Sequence, residues 1–237
     1  MKYLHIHALF FPILWLGLYL DSELINQQWI TNILVFITFI WIYTQVSKQI
    51  KQLMFYGLIV ALGGELLFAL VFGMYTYRLE NLPIYVPFGH TIIYACIYYF
   101  IKEPIILKHR EKIINVLYIA MIIYSTLWFI FANDVFGFLC LLVILVIFKR
   151  RPQTKLFFLF MFFAIVYLEL VGTYYQCWYW PETWFDKVPF ITSANPPSAI
   201  SVFYFGFDAG CLWFYKKLQP HKWQRFKNIK KIKQHQA

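Results

Sequence analysis

The chain has 237 residues, of which 61% are hydrophobic and 14% are charged, and its formal net charge is +10. A soluble domain carries roughly 45–50% apolar and about 25% charged residues, so a water-soluble fold could not hide this much apolar surface. The composition therefore indicates an integral membrane protein. The positive charge is divided among short segments between apolar runs, which is typical of membrane topology and excludes a continuous nucleic-acid-binding face.

Eight apolar runs predict an all-α bundle of about eight transmembrane helices. A helix needs about 20 apolar residues to cross the hydrocarbon core, within a range of about 17–25. The first, fourth and sixth runs are short and span only where flanking residues snorkel or the bilayer thins. The first run is followed by Asp21-Ser22-Glu23 and lacks a small-residue cleavage pattern, so we predict a retained helix rather than a signal peptide. In chain order the runs cover residues 5–20, 28–46, 53–77, 86–101, 113–132, 134–149, 156–177 and 197–215.

The segments between the runs alternate in charge. One set holds nineteen of the twenty-one basic residues, whereas the other holds only Arg78 and Lys187. The positive-inside rule makes the first set cytoplasmic, so we expect an even number of crossings with both termini in the cytoplasm. The expected location is the cytoplasmic (inner) membrane of a bacterium. The second set carries six acids: Asp21, Glu23, Glu80, Asp134, Glu182 and Asp186.

We expect a single transmembrane domain over residues 1–215 and a basic cytoplasmic tail over residues 216–237. The tail contains Trp223 and Phe226 among its lysines. Such a segment either lies on anionic lipid headgroups or is solvated and only fixes the topology. The sequence leaves the oligomeric state open.

The two halves of the domain, 1–104 and 105–215, resemble each other weakly. Glu65 and Glu169 each lie fourteen residues after a lysine, and each is followed by a glycine and closely spaced aromatic residues. A Val-Pro-Phe triplet then occurs in each half, at 86–88 and 188–190. Four helices per half is an even number, so we predict a parallel 4+4 repeat. Chance similarity between two aromatic-rich segments is the alternative.

Three acids lie deep inside the apolar runs, Glu65, Glu169 and Asp208, and His90 is the only deeply placed histidine. A charge at the bilayer centre costs about 2.5–3.5 kcal/mol on insertion scales, so such residues face a protein interior or a wet cavity. At about 1.5 Å of rise per residue, Glu65, Glu169 and His90 lie at a similar depth, roughly 18–21 Å from the cytoplasmic lysines, and Asp208 lies lower, roughly 12 Å from Lys216. A pseudo-twofold axis would place the two glutamates on opposite walls of one cavity.

Two carboxyl groups in an apolar cavity favour acid–base chemistry, because one of them can stay protonated and donate a proton to a lipophilic substrate. We therefore predict Glu65 and Glu169 as catalytic proton donor and partner, with His90 tuning or shuttling the proton. The alternative is a purely structural role, in which each carboxyl group only forms hydrogen bonds to a neighbouring helix. Trp178 and Trp180 suit either an interfacial anchor or a lid. The predicted substrate-binding residues are Tyr75, Tyr77, Tyr94, Trp178, Trp180, Asn195 and Asp208.

Several chemistries are excluded by missing motifs. There is no GxxxxGK[ST] for nucleotide phosphates and no HExxH for zinc. The other five histidines lie near helix ends and loops and cannot assemble a multi-histidine iron site: His5, His7, His109, His221 and His235. The four cysteines contain no CxxC pair, so neither a disulfide framework nor a zinc site is implied. We expect neither a metal nor a cofactor.

The stretch from Glu65 to His90 resembles a pattern of the membrane carotenoid hydratases and the lycopene cyclase-type superfamily. That pattern is an intramembrane Glu, a Gly-aromatic-x-Tyr turn and an outer loop with spaced prolines that leads into the next helix. The second half resembles a further copy, with Trp180-Pro181-Glu182 only loosely similar to a cyclase Pro-x-Glu-Glu, and His90 stands where an aromatic residue is expected. The resemblance implies a lipophilic, isoprenoid or carotenoid-like substrate, hydrated or cyclised by protonation of a C=C bond. The residues that carry it are Glu65, Gly73, Tyr75, Tyr77, Pro83 and Pro87, then Glu169, Gly172 and Trp178–Trp180.

Three functions are compatible with these features. The first is an enzyme that performs intramembrane acid–base chemistry, namely hydration, cyclisation or isomerisation, on a membrane-dissolved lipid. The second is a proton-coupled transporter or lipid flippase that uses the same carboxyl groups as a relay. The third is a non-catalytic membrane scaffold. The small size and short loops favour the enzyme.

Overall fold

A computed structural model describes residues 6–224, and within that range it contains nine α-helices and two short antiparallel ribbons. Eight of the helices lie at the eight predicted positions, and α5 is an extra short helix in the link between the halves. The predicted start of the first run at His5 and the tail beyond 224 lie outside the described residues. The helices are α1 (Phe10–Asp21), α2 (Gln28–Gln45), α3 (Lys48–Glu65), α4 (Tyr85–Phe100), α5 (Pro104–Lys108), α6 (Arg110–Ala132), α7 (Val135–Arg150), α8 (Lys155–Tyr174) and α9 (Ser201–Leu218).

The bounds of α3 differ most from those predicted. The helix begins at Lys48 rather than at 53, because the Ser47 hydroxyl caps it by accepting from the backbone N–H of Ile50 at 3.5 Å. It continues as a π-helical turn over Leu66–Val71 and does not reach 77. Gly73 follows with a φ of +62°, a conformation that suits glycine and ends the helix.

Among the residues that the structure describes, three helical segments are long and apolar enough to cross a membrane: Lys48–Val71, Arg110–Ala132 and Pro152–Tyr174. The surface of α6 shows what surrounds the protein. Large aliphatic residues recur on one face of α6 at a spacing of three or four, and each is at least 46% exposed. An unpartnered apolar face of this length indicates contact with lipid. The residues on this face are Val116, Ile119, Ile123, Leu127 and Ile130.

The helices pack in two groups that correspond to the two halves of the chain. In the first group, α1 packs on α2, and α4 packs on both α2 and α3; in the second, α6 packs on α7, and α9 packs on both α7 and α8. Between the groups, α3 packs on α9 and α4 packs on α8. The helices α3, α4, α8 and α9 therefore form an inner ring. The most enclosed side chains of α8, including Met161, Phe162 and Ile165, have no exposed surface.

Two ribbons lie on the side of the bundle opposite the basic segments, which we call the loop side. Strand β1 (Thr76–Tyr77) pairs antiparallel with β2 (Trp178–Tyr179), so the first ribbon joins the two halves. Strand β3 (Thr183–Trp184) pairs with β4 (Val188–Thr192) within the second half. The Val-Pro-Phe triplets are not equivalent, because 86–88 is helical in α4 whereas 188–190 is extended in β4. Three residues do not fix a backbone conformation, so this part of the predicted repeat is wrong.

A buried acid organises the loop side of each half. Asp21 accepts hydrogen bonds from Arg78 at 2.9 Å, from the hydroxyl of Tyr85 at 2.7 Å and from Gln28 at 3.2 Å. The side chain has no exposed surface. These bonds tie the end of α1 to the loop after α3 and to the start of α4.

Asp134 has the corresponding place in the second half, between α6 and α7. Its carboxylate accepts from the backbone N–H groups of Gly137 at 3.0 Å, Ala194 at 3.2 Å and Ser198 at 2.7 Å. It is also fully buried. Both acids were predicted to lie on the outer side, and the structure shows that on the loop side they also hold the loops to the bundle.

Candidate active site

An apolar cavity of about 120 Å³ is bounded by α1, α2 and α4 and by the loop-side ends of α3, α8 and α9. Glu65 from α3, His90 from α4 and Glu169 from α8 all line it. Most of the remaining lining is aliphatic or aromatic. A few polar groups that converge in an apolar cavity are typical of a small-molecule site. The structure thus brings the two glutamates and the histidine to one cavity, as their similar depth predicts.

Three donors converge on Glu65. Its Oε1 lies 2.9 Å from Nε2 of His90, and its Oε2 accepts from the hydroxyls of Tyr75 at 2.7 Å and Tyr77 at 2.6 Å. Both oxygens are engaged, and the side chain is 3% exposed. A carboxylate accepts only, so this arrangement suits an ionised Glu65 beside a His90 whose Nε2 carries hydrogen.

Glu169 receives its hydrogen bonds differently. Its Oε2 accepts from the indole N–H of Trp178 at 2.8 Å and of Trp180 at 3.0 Å. Within residues 6–224 no donor reaches Oε1, although the side chain is only 5% exposed. The free oxygen is therefore the one that can carry a proton next to the cavity.

The two carboxyl sites are equivalent in chain position except for one residue. The aromatic donors follow Glu65 by ten and twelve residues, and they follow Glu169 by nine and eleven. The π-helical turn over Leu66–Val71 absorbs the extra residue of the first half, as an insertion into an α-helix does. A residue with positive φ then precedes each donor strand, Gly73 at +62° and Gln176 at +57°.

His90 is buried between the first carboxyl group and aromatic rings. Its ring centroid lies 4.6 Å from that of Tyr204 and 5.2 Å from that of Phe207. Nε2 faces Glu65, whereas Nδ1 is buried and has no hydrogen-bond partner in the described part of the chain. A buried ring nitrogen without a partner is costly, so Nδ1 is the place where a polar group of a ligand or a water is expected.

The phenols near Glu65 stay neutral. Burial, followed by the negative charge of Glu65, raises the pKa of Tyr77 well above its ordinary value. The same two causes raise the pKa of Tyr75. Both side chains therefore remain hydrogen-bond donors over the whole physiological pH range.

Three residues that the sequence predicted for substrate binding do not line the cavity. Tyr94 lies one turn beyond His90 towards the basic side, and its hydroxyl donates to the backbone carbonyl of Tyr204. Asp208 lies one turn beyond Tyr204 in the same direction and is also outside the lining. Asn195 acts at a distance, because its Oδ1 accepts from the backbone N–H of Trp180 at 3.0 Å and so positions that indole. Four others do line it: Tyr75, Tyr77, Trp178 and Trp180.

Sequence reasoning missed Tyr204, Phe207 and Phe68, which complete the aromatic wall of the cavity. Nothing in the apolar runs of α3 and α9 distinguishes these aromatics from residues that face lipid. Among the described residues, no group of three or more His, Cys, Asp or Glu is arranged to hold a metal ion.

Comparisons with protein-family models, curated proteins and solved structures found no match to this chain. The resemblance to carotenoid hydratases and lycopene cyclases therefore stays a prediction. The function has to be inferred from the chemistry of the cavity.

Proposed function

We propose that the protein is a membrane enzyme that performs acid–base chemistry on a C=C bond of a lipophilic, isoprenoid-like molecule. One observation carries this proposal: two buried carboxyl groups with different hydrogen-bond partners line one apolar cavity. Acid and base roles are separated in proteins by giving two titratable groups different environments. Here one carboxyl group has a free oxygen and the other is joined to an imidazole.

Glu169 is the proton donor, because its Oε1 has no hydrogen-bond partner among the described residues. Oε1 of Glu169 gives its proton to one carbon of the C=C bond, so the O–H bond and the π bond break, a C–H bond forms and the other carbon becomes a cation. His90 is the base, with Glu65 holding its ring as the carboxylate does in other carboxylate–imidazole pairs. Nδ1 takes a proton either from a water that adds to the cation or from a neighbouring carbon. The first route is hydration, and the second is isomerisation. In cyclisation a second C=C bond of the substrate first attacks the cation, so that its π bond breaks and a C–C bond forms, and a carbon next to the new cation then loses the proton.

The cycle closes when the proton on His90 returns to Glu169. The aromatic wall supports the intermediate, because an aromatic face attracts a cation. The ring centroids of Tyr75 and Trp180 are 4.7 Å apart, and that of Tyr204 lies 4.6 Å from that of His90. The ring faces and the two carboxyl groups together favour a positively charged intermediate.

We further infer that all eight long helices cross the membrane as two parallel repeats of four, with both termini in the cytoplasm. The charge alternation supports this topology, as do the reciprocal packing of α3 on α9 and of α8 on α4 and the matched donors of Glu65 and Glu169. Reporter fusions after residues 46, 104 and 150 should report the cytoplasmic side, and fusions after 24 and 186 the opposite side. A fusion after 24 on the cytoplasmic side contradicts the topology.

Deuterium exchange tests the enzyme. Proteoliposomes are incubated in D₂O with squalene or lycopene as probes, and carbon-bound deuterium or an added water is measured by mass spectrometry. Wild-type protein should label one probe, whereas Glu169→Gln and Glu65→Gln should each lose the activity while remaining folded. The matched control is Asp208→Asn, a half-buried acid outside the cavity, which should keep the activity. Full exchange in both glutamine variants would overturn the proposal.

The other two functions predict different results. A proton-coupled transporter moves its lipid in response to a pH gradient across the vesicle and adds no deuterium to carbon. A scaffold loses much stability in the glutamine variants and processes no probe.

A further inference from the structure

A second concave surface lies on the side of the bundle between α3, α7 and α9. It is a groove of about 640 Å³ that is open to the outside. Its walls are formed by apolar side chains and bare glycine backbone. The residues that line its length include Val60, Gly63, Leu67, Val143, Val202 and Gly206.

The groove and the central cavity share a wall. Phe68, Phe203 and Phe207 line both of them. The ring centroids of Phe68 and Phe203 are 5.0 Å apart, and those of Phe68 and Phe207 are 6.1 Å apart. Because Phe207 also lies 5.2 Å from His90, one layer of rings separates the groove from the imidazole.

Glycines make room for the groove and for its inner wall. A Cβ on Gly63 or Gly206 would meet no atom within 4 Å, so these positions leave open space. A Cβ on Gly64 would lie 2.3 Å from the ring of Phe207, which therefore rests directly on the backbone of α3. The ring has no side chain behind it at that point.

The size of the central cavity requires an extension. A cavity of about 150 Å³ holds one benzene, so 120 Å³ accepts only a few carbon atoms of a lipid. The remainder of a long chain has to lie elsewhere. The groove is adjacent, apolar and open towards the lipid-facing surface, and from Phe136 to Val143 α7 gives it a length of roughly 10 Å.

The loop end of the groove offers one polar contact. Trp184 lines this end and stacks on Phe136, with ring centroids 5.7 Å apart. Its indole N–H is buried and has no hydrogen-bond partner among residues 6–224. A donor at one end of an apolar groove suits a molecule with a polar end and a hydrocarbon chain.

We propose that this groove binds the hydrocarbon chain of a bilayer lipid and delivers it to the central cavity, with Phe207 as the ring that the chain displaces. This inference rests on the proposed function, because the chain end that enters the cavity is the one that meets Glu169 and His90. It adds a binding site and a route: the substrate enters sideways from the membrane and never passes through water.

Photolabelling tests the site. The protein is reconstituted in phosphatidylethanolamine vesicles that contain phosphatidylglycerol with a diazirine on its acyl chain, and labelled residues are mapped by mass spectrometry after irradiation. Labelling of 63–67 and 203–207 should exceed that of the lipid-facing surface of α6, 116–130, several-fold, and excess unlabelled lipid should reduce it. Equal labelling of the groove and of α6 would mean ordinary surrounding lipid and would overturn the proposal.

Two variants that fill the groove give the matched comparison. Gly206→Trp should lower groove labelling to the level of α6, whereas Ala209→Trp, also exposed on α9 but outside the groove, should leave it unchanged. Gly63→Leu fills the groove from α3 and serves if Gly206→Trp does not fold. Undiminished labelling in a folded groove-filling variant contradicts the site.

The test separates this proposal from the proposed function. Labelling needs no chemistry, so Glu169→Gln should be labelled like wild type. Strong groove labelling without any deuterium exchange would support the lipid site and contradict the proposed enzymatic activity. Deuterium exchange at the wild-type rate in Gly206→Trp would support the enzymatic activity and contradict substrate entry through the groove. Phe207→Ala should extend labelling to Tyr204 and His90, and its failure to do so would remove the gating role of Phe207.

Discussion

Glu65 and Glu169 occupy corresponding places in the two halves, but their partners belong to different chemical classes. Glu65 is bonded to two phenols and an imidazole, and Glu169 to two indoles. An imidazole exchanges a proton readily near neutral pH, whereas an indole N–H is a donor only. The same backbone arrangement thus holds two different carboxyl sites. In the first half Glu65 is bonded to an imidazole that can accept a proton, and in the second half Glu169 has one oxygen without a hydrogen bond among the described residues.

The buried aspartates differ in a parallel way. Asp21 is paired with the guanidinium of Arg78, and Asp134 is held by neutral backbone N–H groups. In both comparisons the first half contains the cationic or ionisable partner. The first half is therefore expected to be the more sensitive to a loss of charge.

Replacing His90 should have the largest effect. His90→Phe keeps a ring against Tyr204 but removes the proposed base, so the exchange rate should fall by about 10²–10⁴-fold. Deuterium incorporation into squalene or lycopene measures this, with thermal unfolding as a check of the fold. Tyr94→Phe, one turn away on α4 and outside the cavity, should stay close to wild type. An unaltered rate in His90→Phe would leave the two carboxyl sites without a functional difference.

Neutralising Asp21 should lower the free energy of unfolding more than neutralising Asp134. Asp21→Asn leaves the buried guanidinium of Arg78 without a counter-charge and should cost about 3–5 kcal/mol. Asp134→Asn disturbs only neutral donors and should cost about 1–3 kcal/mol. Denaturant unfolding in detergent would compare them. Equal losses would show that the ion pair adds nothing beyond hydrogen bonding.

Tyr77→Phe tests the Glu65 side alone. It removes one hydrogen bond to a charged group and should cost about 1.5–3 kcal/mol near neutral pH. The pKa of Tyr77 is raised in the folded state, so its contribution is fully present below about pH 10, where the unfolded phenol ionises, and declines as the pH rises further. Melting curves between pH 8 and 11 should therefore converge for the two proteins. Parallel curves would contradict a buried neutral phenol.

Gly172→Ala tests the Glu169 side and should have the smallest effect. The added Cβ would lie 2.1 Å from the ring of Trp178, so the indole has to move away from Glu169. Overpacking of this kind costs about 1–3 kcal/mol. Tryptophan fluorescence should shift together with the loss of stability. Gly206→Ala, where a Cβ meets no atom within 4 Å, is the control and should not be destabilising.

The sequence predicted those features that depend on local composition. The eight helix positions follow from apolar runs, and the shared depth of Glu65, Glu169 and His90 follows from helical rise. The burial of Asp21 and Asp134 could not be predicted, since most of their partners lie 57 to 64 residues away along the chain. The β1–β2 pairing and the aromatic wall from α9 are equally non-local. The π-helical turn becomes visible only when the two sets of donors are aligned in space.

The ribbon between β1 and β2 has a mechanical consequence. It connects the halves directly above the two glutamates, and the backbone N–H of Arg78 adds a bond of 2.9 Å to the carbonyl of Cys177. A transporter that alternates access by rocking its two halves would have to break these inter-strand hydrogen bonds on the loop side in every cycle. A crosslink between positions 76 and 179 is therefore expected to stop a transporter and to leave an enzyme running. The paired strands oppose a rocking motion of the two halves, and this favours the proposed lateral entry of lipid over alternating access.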